Sequence, residues 1–216
     1  MNEAPPPRVR HERADHWLAL VSTVLLALAA VATAWSGYQA SQWHGEQALA
    51  FSSASASRVE STRASSEANR NVEIDVATFT QWIDARALGR TELADFYRER
   101  FRPEFRPAFE AWLATRPLVT PGAPPTPFAM PEYQLEAVAR ADALEARAAA
   151  SAEEARRDIE RADDYVLAVV LFATALFFAG ISTRLPTPTA RAVILGLGCV
   201  VFLGTVGWLA TFPTTF

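Results

Sequence analysis

The sequence predicts an all-α membrane protein: three transmembrane helices, with a long extramembrane antiparallel helical hairpin between the first and second. Three observations carry this prediction. Three apolar runs free of charge, Trp17 to Trp35, Tyr165 to Thr183 and Ala192 to Phe212, are each long enough as helix to cross about 30 Å of hydrocarbon. Charge is concentrated between the first two runs, where residues 36–164 hold 15 arginines against 21 acidic residues. That same stretch shows almost no β-branched alternation and little Gly, so its periodicity is helical.

In order along the chain, residues 1–15 carry Pro5-Pro6-Pro7 and scattered charge and are expected to be a disordered cytoplasmic tail. Residues 16–36 form the first span. Ala32-Thr33-Ala34 has the A-x-A pattern of a cleavage site, but the apolar region exceeds the about 7–15 residues of a signal peptide, so an uncleaved signal anchor is the better reading. Residues 37–164 are the extramembrane helical domain. Little interrupts its first helix before Gly89-Arg90-Thr91, where a break followed by Thr91 as N-cap and Glu92 in the first turn is expected. A shorter helix follows, interrupted at Pro103 and Pro107. The Pro-rich loop 117–131 holds six prolines and one Gly and reads as extended. From Glu132 a last helix can run unbroken into the second span, 165–183. A short cytoplasmic link, 184–191, leads to the third span, 192–212, and a tail, 213–216.

Orientation follows from the arginines that flank the spans. Arg8, Arg10 and Arg13 precede the first, and Arg184 and Arg191 lie in the short link. The positive-inside rule therefore places the N-terminus and the link in the cytoplasm, and the central domain and C-terminus outside. Trp35, Tyr38, Tyr165 and Trp208 would share one interface, with Trp17 at the other. Arg156, Arg157 and Arg161 run against this orientation, but they are mixed with acidic residues at the end of a long translocated segment, where the rule is weak.

Small residues recur at three- and four-residue steps on the long helices. On the first they are Thr23, Ala27, Ala30, Ala34, Gly37 and Ser41. On the last they include Ala137, Ala141, Ala148, Ala155 and Ala162, with Leu144, Ala152 and Ile159 on the same stripe. Such spacing forms a coiled-coil-like seam, and small side chains let helix backbones approach closely. The third span has its own small face, with Gly196, Gly204 and Gly207 beside Ala192, Cys199 and Thr211. Ala27, Ala30, Ala34, Gly37, Gly196, Gly204 and Gly207 are the candidate helix-packing face. The general richness in Ala, with 20 arginines and no lysine, is also what a GC-rich genome produces.

The most distinctive polar cluster lies just beyond the first span: Tyr38, Gln39, Gln42, Trp43, His44 and Glu46. As a site it would hold a lipid headgroup or a partner. As plain structure it is an aromatic interfacial anchor. Metal binding is disfavoured, because no second His lies three or four residues from His44 and Glu46 points to another side of the helix. Further on, Phe101, Phe105, Phe109 and Trp112 repeat at helical spacing between Arg98, Arg102 and Arg106. Glu99, Glu104 and Glu110 offset those arginines, so the stripe reads as the small core of the outer domain rather than a nucleic-acid or headgroup surface.

Several function classes are disfavoured. There is no phosphate-cradling loop, no nucleophile elbow and no His-x-x-x-His pair, so no catalytic residues, cofactor or metal are assigned. The acidic balance and dispersed Arg argue against nucleic acid. A single cysteine, Cys199, forms no intrachain disulfide and lies in an apolar run. The three apolar runs, Trp17 to Trp35, Tyr165 to Thr183 and Ala192 to Phe212, contain no Asp, Glu, Arg, Lys or His of the kind that ion-coupled transporters and pumps need at depth.

Three segments carry a resemblance: Ala34-Trp35-Ser36-Gly37-Tyr38-Gln39-Ala40, the stretch from Arg100 through Phe105 and Phe109 to Leu113, and Pro124 to Tyr133. With Asp163-Asp164-Tyr165-Val166-Leu167, the chain resembles a family of bacterial inner-membrane proteins, a domain of unknown function with one span, a long helical excursion and two closing spans. The resemblance implies a bacterial inner-membrane location and no particular activity. The resulting expectation is a non-enzymatic scaffold or interaction module in contact with the lipid bilayer, joined to copies of itself or to another membrane protein. The alternatives are an oligomeric channel or transport accessory lined by Gly196, Gly204, Thr205 and Gly207, and, more remotely, a lipid-processing enzyme using residues 38–47.

Overall fold

The computed structural model describes residues 9–117 and 119–214. Arg8 with the rest of residues 1–8, Leu118 of the Pro-rich loop, residues 215–216 of the tail, and the side chains of Arg10, His11 and Arg13 lie outside the described residues. Among the described residues there are five α-helices and no strand: α1 Val9–Ala87, α2 Thr91–Glu99, α3 Arg106–Ala114, α4 Glu136–Ser182 and α5 Pro188–Leu209, with a 3-10 turn at Pro127–Ala129. Three of them, α1, α4 and α5, are long and apolar enough to cross a membrane.

The 79 residues of α1 form one helix because nothing in them breaks it. The stretch has no proline, and its two glycines, Gly37 and Gly45, each cost only about 1 kcal/mol. The helix opens at Val9, so half of the segment expected to be a disordered tail is helical. Past Pro7 the residues are ordinary helix formers continuous with the apolar run. At its end the Arg90 N–H donates to the Ala85 carbonyl at 2.9 Å and the Gly89 N–H to Arg86 at 3.1 Å. Gly89 has φ +71°, so the stop is a Schellman motif built on the residue best able to adopt the left-handed conformation.

Other boundaries move slightly from the expected ones. Arg90, not Thr91, is the N-cap of α2, and no side chain caps it. Pro107 lies in the first turn of α3, where its missing N–H costs nothing. α4 starts at Glu136 rather than Glu132, because Tyr133 closes a turn onto Met130 at 3.0 Å. α5 begins at Pro188, which shortens the expected link, and Arg191 Nε donates back to the Leu185 carbonyl at 2.8 Å.

The chain divides into two units, Met1–Phe51 with Ala152–Phe216, and Ser52–Ser151. In the first, Leu25, Ala179 and Leu195 form one buried layer, joined by Val21, Cys199 and Phe202. A second layer is Ala40, Trp43, Ala162 and Tyr165, closed by Leu209 and Phe212. Gly198 marks the closest approach: a Cβ there would meet Phe178 Cβ at 3.2 Å and the Ala175 carbonyl at 3.4 Å.

The candidate packing face is displaced from these contacts. Ala27, Ala30, Ala34 and Gly37 of α1, and Gly196, Gly204 and Gly207 of α5, are all exposed in the chain. A Cβ added at any of those four glycines would meet nothing within 4 Å. The inward residues of α1 are instead Ser22, Leu25, Ala29, Ser36, Gln39, Ala40 and Trp43. Polar pairing across helices accompanies this choice: an inward hydroxyl can meet one on the facing helix, whereas the hydroxyls of Thr23 and Thr33 bond to their own helix carbonyls. Ser22 and Ser182 illustrate it, their Oγ atoms 3.1 Å apart and buried. On α4 the small stripe does turn inward, with Ala137, Ala141, Ala148, Ala155 and Ala162 buried, while Asp158 is buried in place of exposed Ile159.

The second unit has an aromatic core. Phe101, Phe105, Phe109 and Trp112 are buried against Phe79, Trp82 and Ala85 of α1. Ring pairs meet edge to face, Trp82–Phe109 and Phe101–Phe109 both at 4.8 Å and Phe79–Trp112 at 5.3 Å. Each such pair adds about 0.5–1.5 kcal/mol beyond its buried area. The Pro-rich loop folds over this core instead of extending freely. Phe128 stacks on Phe105 at 5.2 Å, and Trp112 Nε1 donates to the Pro124 carbonyl at 2.8 Å.

Candidate functional site

The strongest electrostatic feature of the second unit begins with Asp75. The inward stripe of α1 runs Ala64, Ala68, Asp75, Phe79, Trp82, so the helix phase that buries the aromatics also buries this carboxylate. A buried charge needs partners. Arg102 Nη1 donates to Asp75 Oδ2 at 2.9 Å, and the Tyr133 hydroxyl donates to the same oxygen at 3.0 Å. Oδ1 is buried with no hydrogen-bond partner among the described residues. Arg102 Nη2 pairs in turn with Glu104, whose Oε1 accepts the backbone N–H of Glu136 at 3.3 Å. That contact sets a carboxylate at the first turn of α4, where the helix dipole favours it.

Desolvation pushes the Asp75 carboxyl above its ordinary range; the bonds from Tyr133 and Arg102 oppose that shift without cancelling it. Burial and the neighbouring Asp75 push the Tyr133 phenol well up, which makes it a donor and not a base. The node thus joins four segments: α1, the turn before α3, the stretch between the Pro-rich loop and α4, and the start of α4. Beside it opens a polar cleft of ≈ 310 Å³ lined by Glu67, Asn71, Glu104, Glu136 and Arg140, with Arg140 and Glu67 paired at 2.7 Å. Salt-bridged carboxylates and guanidiniums without an adjacent nucleophile can position polar groups.

The membrane-edge cluster is divided between two faces. Gln39 and Trp43 are buried, with Trp43 packed beside Tyr165 and covered by the Arg161 guanidinium 4.6 Å from its ring. Arg161 is held by Asp158 at 2.9 Å, and Tyr165 donates to the Pro213 carbonyl at 3.0 Å. Tyr38 is exposed, and its hydroxyl accepts from Gln42 Nε2 at 2.8 Å. His44 and Glu46 are exposed. The six residues therefore do not converge on one ligand. Among the described residues no three His, Cys, Asp or Glu groups gather in metal-binding proximity. On α5, Thr205 is buried and bonds to the Val201 carbonyl at 2.8 Å, whereas Gly196, Gly204 and Gly207 face outward, so the four do not share one face.

The Asp75 node had one legible signal. An acidic residue flanked by Ile74 and Val76 falls on the stripe of Ala68, Phe79 and Trp82. Its partners, 27 and 58 residues away, carried none. Comparison with protein-family models, curated proteins and solved structures finds no match.

Proposed function

We propose that this chain is a non-enzymatic, multi-pass protein of the bacterial inner membrane that holds a folded helical head outside the cytoplasm as an interaction module and works as a homo-oligomer. One observation carries the reading. Residues 52–151 build an aromatic core of their own on the end of α1, and a second small cluster packs Ala68 and Val72 of α1 against Leu135 and Ala137 at the start of α4; α1 and α4 also carry membrane-length apolar stretches. An anchor and a head are thereby made from the same two helices. The antiparallel hairpin is supported within each unit. Ser22 lies against Ser182 and Trp43 beside Ala162, while Ser53 faces Ser151 at 3.5 Å and Ser61 donates to the Ala141 carbonyl at 3.0 Å. Residue numbers rise along one helix as they fall along the other. The exposed faces at Ala27–Gly37 and Gly196–Gly207 are apolar and uncovered in the single chain, the first lined by small residues and the second by glycines interleaved with Val200 and Leu203, which suits packing against a second copy.

Two cysteine experiments test this. In a Cys199→Ala background, Glu132→Cys is exposed in the head. It should react in intact cells with a membrane-impermeant maleimide, and protection until lysis would place the head in the cytoplasm. In the same background Gly204→Cys should crosslink between copies. A protein that stays strictly monomeric in the membrane and yields no crosslinked partner from the head would end the interaction-module reading.

A further inference from the structure

The head has a second opening, on the side of the aromatic core where α1 ends. It is a cleft of ≈ 540 Å³, within the size range of small-molecule sites. Its floor and walls are the indoles of Trp82 and Trp112 with Ile83, Leu113 and Val119. Three guanidiniums also line it, Arg86 from the last turn of α1, Arg98 from α2 and Arg116 after α3, against one carboxylate, Asp95. An apolar body flanked by convergent positive groups is the lining that an amphipathic anion requires.

The arginines are incompletely used by the fold. Arg98 makes a long, exposed contact with Glu110 at 3.6 Å and lies 5.9 Å from the centre of the Phe109 ring. Arg86 and Arg116 have no side-chain ion pair or hydrogen bond among the described residues. Arg116 is also the non-glycine residue with positive φ among the described residues, at +52°. It follows the C-cap of α3, and its carbonyl accepts the N–H groups of Val119 and Thr120, both at 3.0 Å. Glycine is the residue that this left-handed position favours. Backbone strain is thus held at the one place in the turn where a guanidinium lines the cleft, as happens where strain serves a site.

We propose that this cleft binds a small amphipathic carboxylate, its apolar body against Trp82, Trp112 and Val119 and its head group bridged by Arg86 and Arg116. The carboxylate is the complement of two planar guanidinium forks, and a single negative charge still leaves the cleft net positive. The inference concerns the head alone and holds whichever side of the membrane the head occupies.

The experiment uses the full chain in nanodiscs of zwitterionic lipid, with equilibrium dialysis of 2-naphthoate and, for comparison, its neutral analogue 2-naphthalenemethanol. Saturable 1:1 binding of the acid is expected, with the alcohol about tenfold weaker or worse, the loss of a charge-assisted contact. Arg116→Gly should melt at or above the parent temperature, since it relieves the left-handed strain, yet bind the acid about tenfold less well. Arg86→Gln should weaken binding similarly. Uptake no greater than by empty nanodiscs, equal binding of acid and alcohol, or unchanged affinity in the stable Arg116→Gly protein would each overturn the proposal. Concentration-dependent protection of Val119 without any probe would assign the cleft to a second copy and overturn it also.

Discussion

Arg102 Nη1 lies 2.9 Å from Oδ2 of Asp75, a carboxylate with no exposed side-chain surface. The pair fastens the turn before α3 to the C-terminal part of α1, and Tyr133 adds the segment between the Pro-rich loop and α4 to the same oxygen. The node ties that turn, the segment after the loop and the start of α4 to one face of α1 through linked polar contacts around a buried charge, where losing one partner is costly.

Arg102→Met should therefore destabilise the head strongly at neutral pH, by about 3–5 kcal/mol, because it leaves a buried carboxylate without its cation. Denaturation followed by tryptophan fluorescence reports it, since Trp82 and Trp112 lie in the adjoining core. The loss should shrink on acidification, as Asp75 takes up a proton. Adding Asp75→Asn should recover most of it at neutral pH. Equal loss in the single and double variants would show that Arg102 acts by packing instead.

The pH dependence has a definite sign. The Asp75 carboxyl titrates above its ordinary value of 3.8, chiefly through desolvation. The folded state then binds this proton more tightly than the unfolded state does, so the stabilisation is fully present below 3.8 and is lost as pH rises through the folded value. Compared with Asp75→Asn across the same titration, the parent should lose relative stability as pH rises through that window. A difference that grows with pH would contradict the assignment.

Two glycines of α5 should behave oppositely. At Gly198 a side chain meets Phe178 and the Ala175 carbonyl, so Gly198→Leu should cost about 1–3 kcal/mol through overpacking. Gly204→Ala meets nothing within 4 Å in the chain and should change monomer stability by no more than about 0.5 kcal/mol. Unfolding in bicelles compares them directly. Gly204→Leu should leave the single chain folded and reduce self-association.

Trp112→Phe keeps a ring in the core but removes the hydrogen bond from Nε1 to the Pro124 carbonyl. The cost should be about 0.5–1.5 kcal/mol, expressed as faster proteolysis of the loop 117–131 before global unfolding. A loop no more sensitive than the parent's would mean that the Phe128–Phe105 stack holds it alone.

The all-helical class, the three span-length runs, the stop at Gly89 and the burial of Phe101, Phe105, Phe109 and Trp112 were legible in the amino-acid sequence. Each depends on local properties: length, period, a residue with left-handed freedom, an apolar stripe. Tertiary structure alone decided which of several small-residue faces turns inward. Alanines and glycines lie on more than one side of α1 and α5, so composition alone singles out no face, and Ser22, Ser36 and Gln39 turn inward together with Leu25 and Ala29 because that side meets the facing helix. It buried Gln39 and Trp43 of the cluster from Tyr38 to Glu46 and left Tyr38, His44 and Glu46 exposed. It also joined Asp75 to Arg102 and Tyr133, since a salt bridge between residues 27 positions apart is set by how helices and turns pack and leaves no periodic trace in the chain.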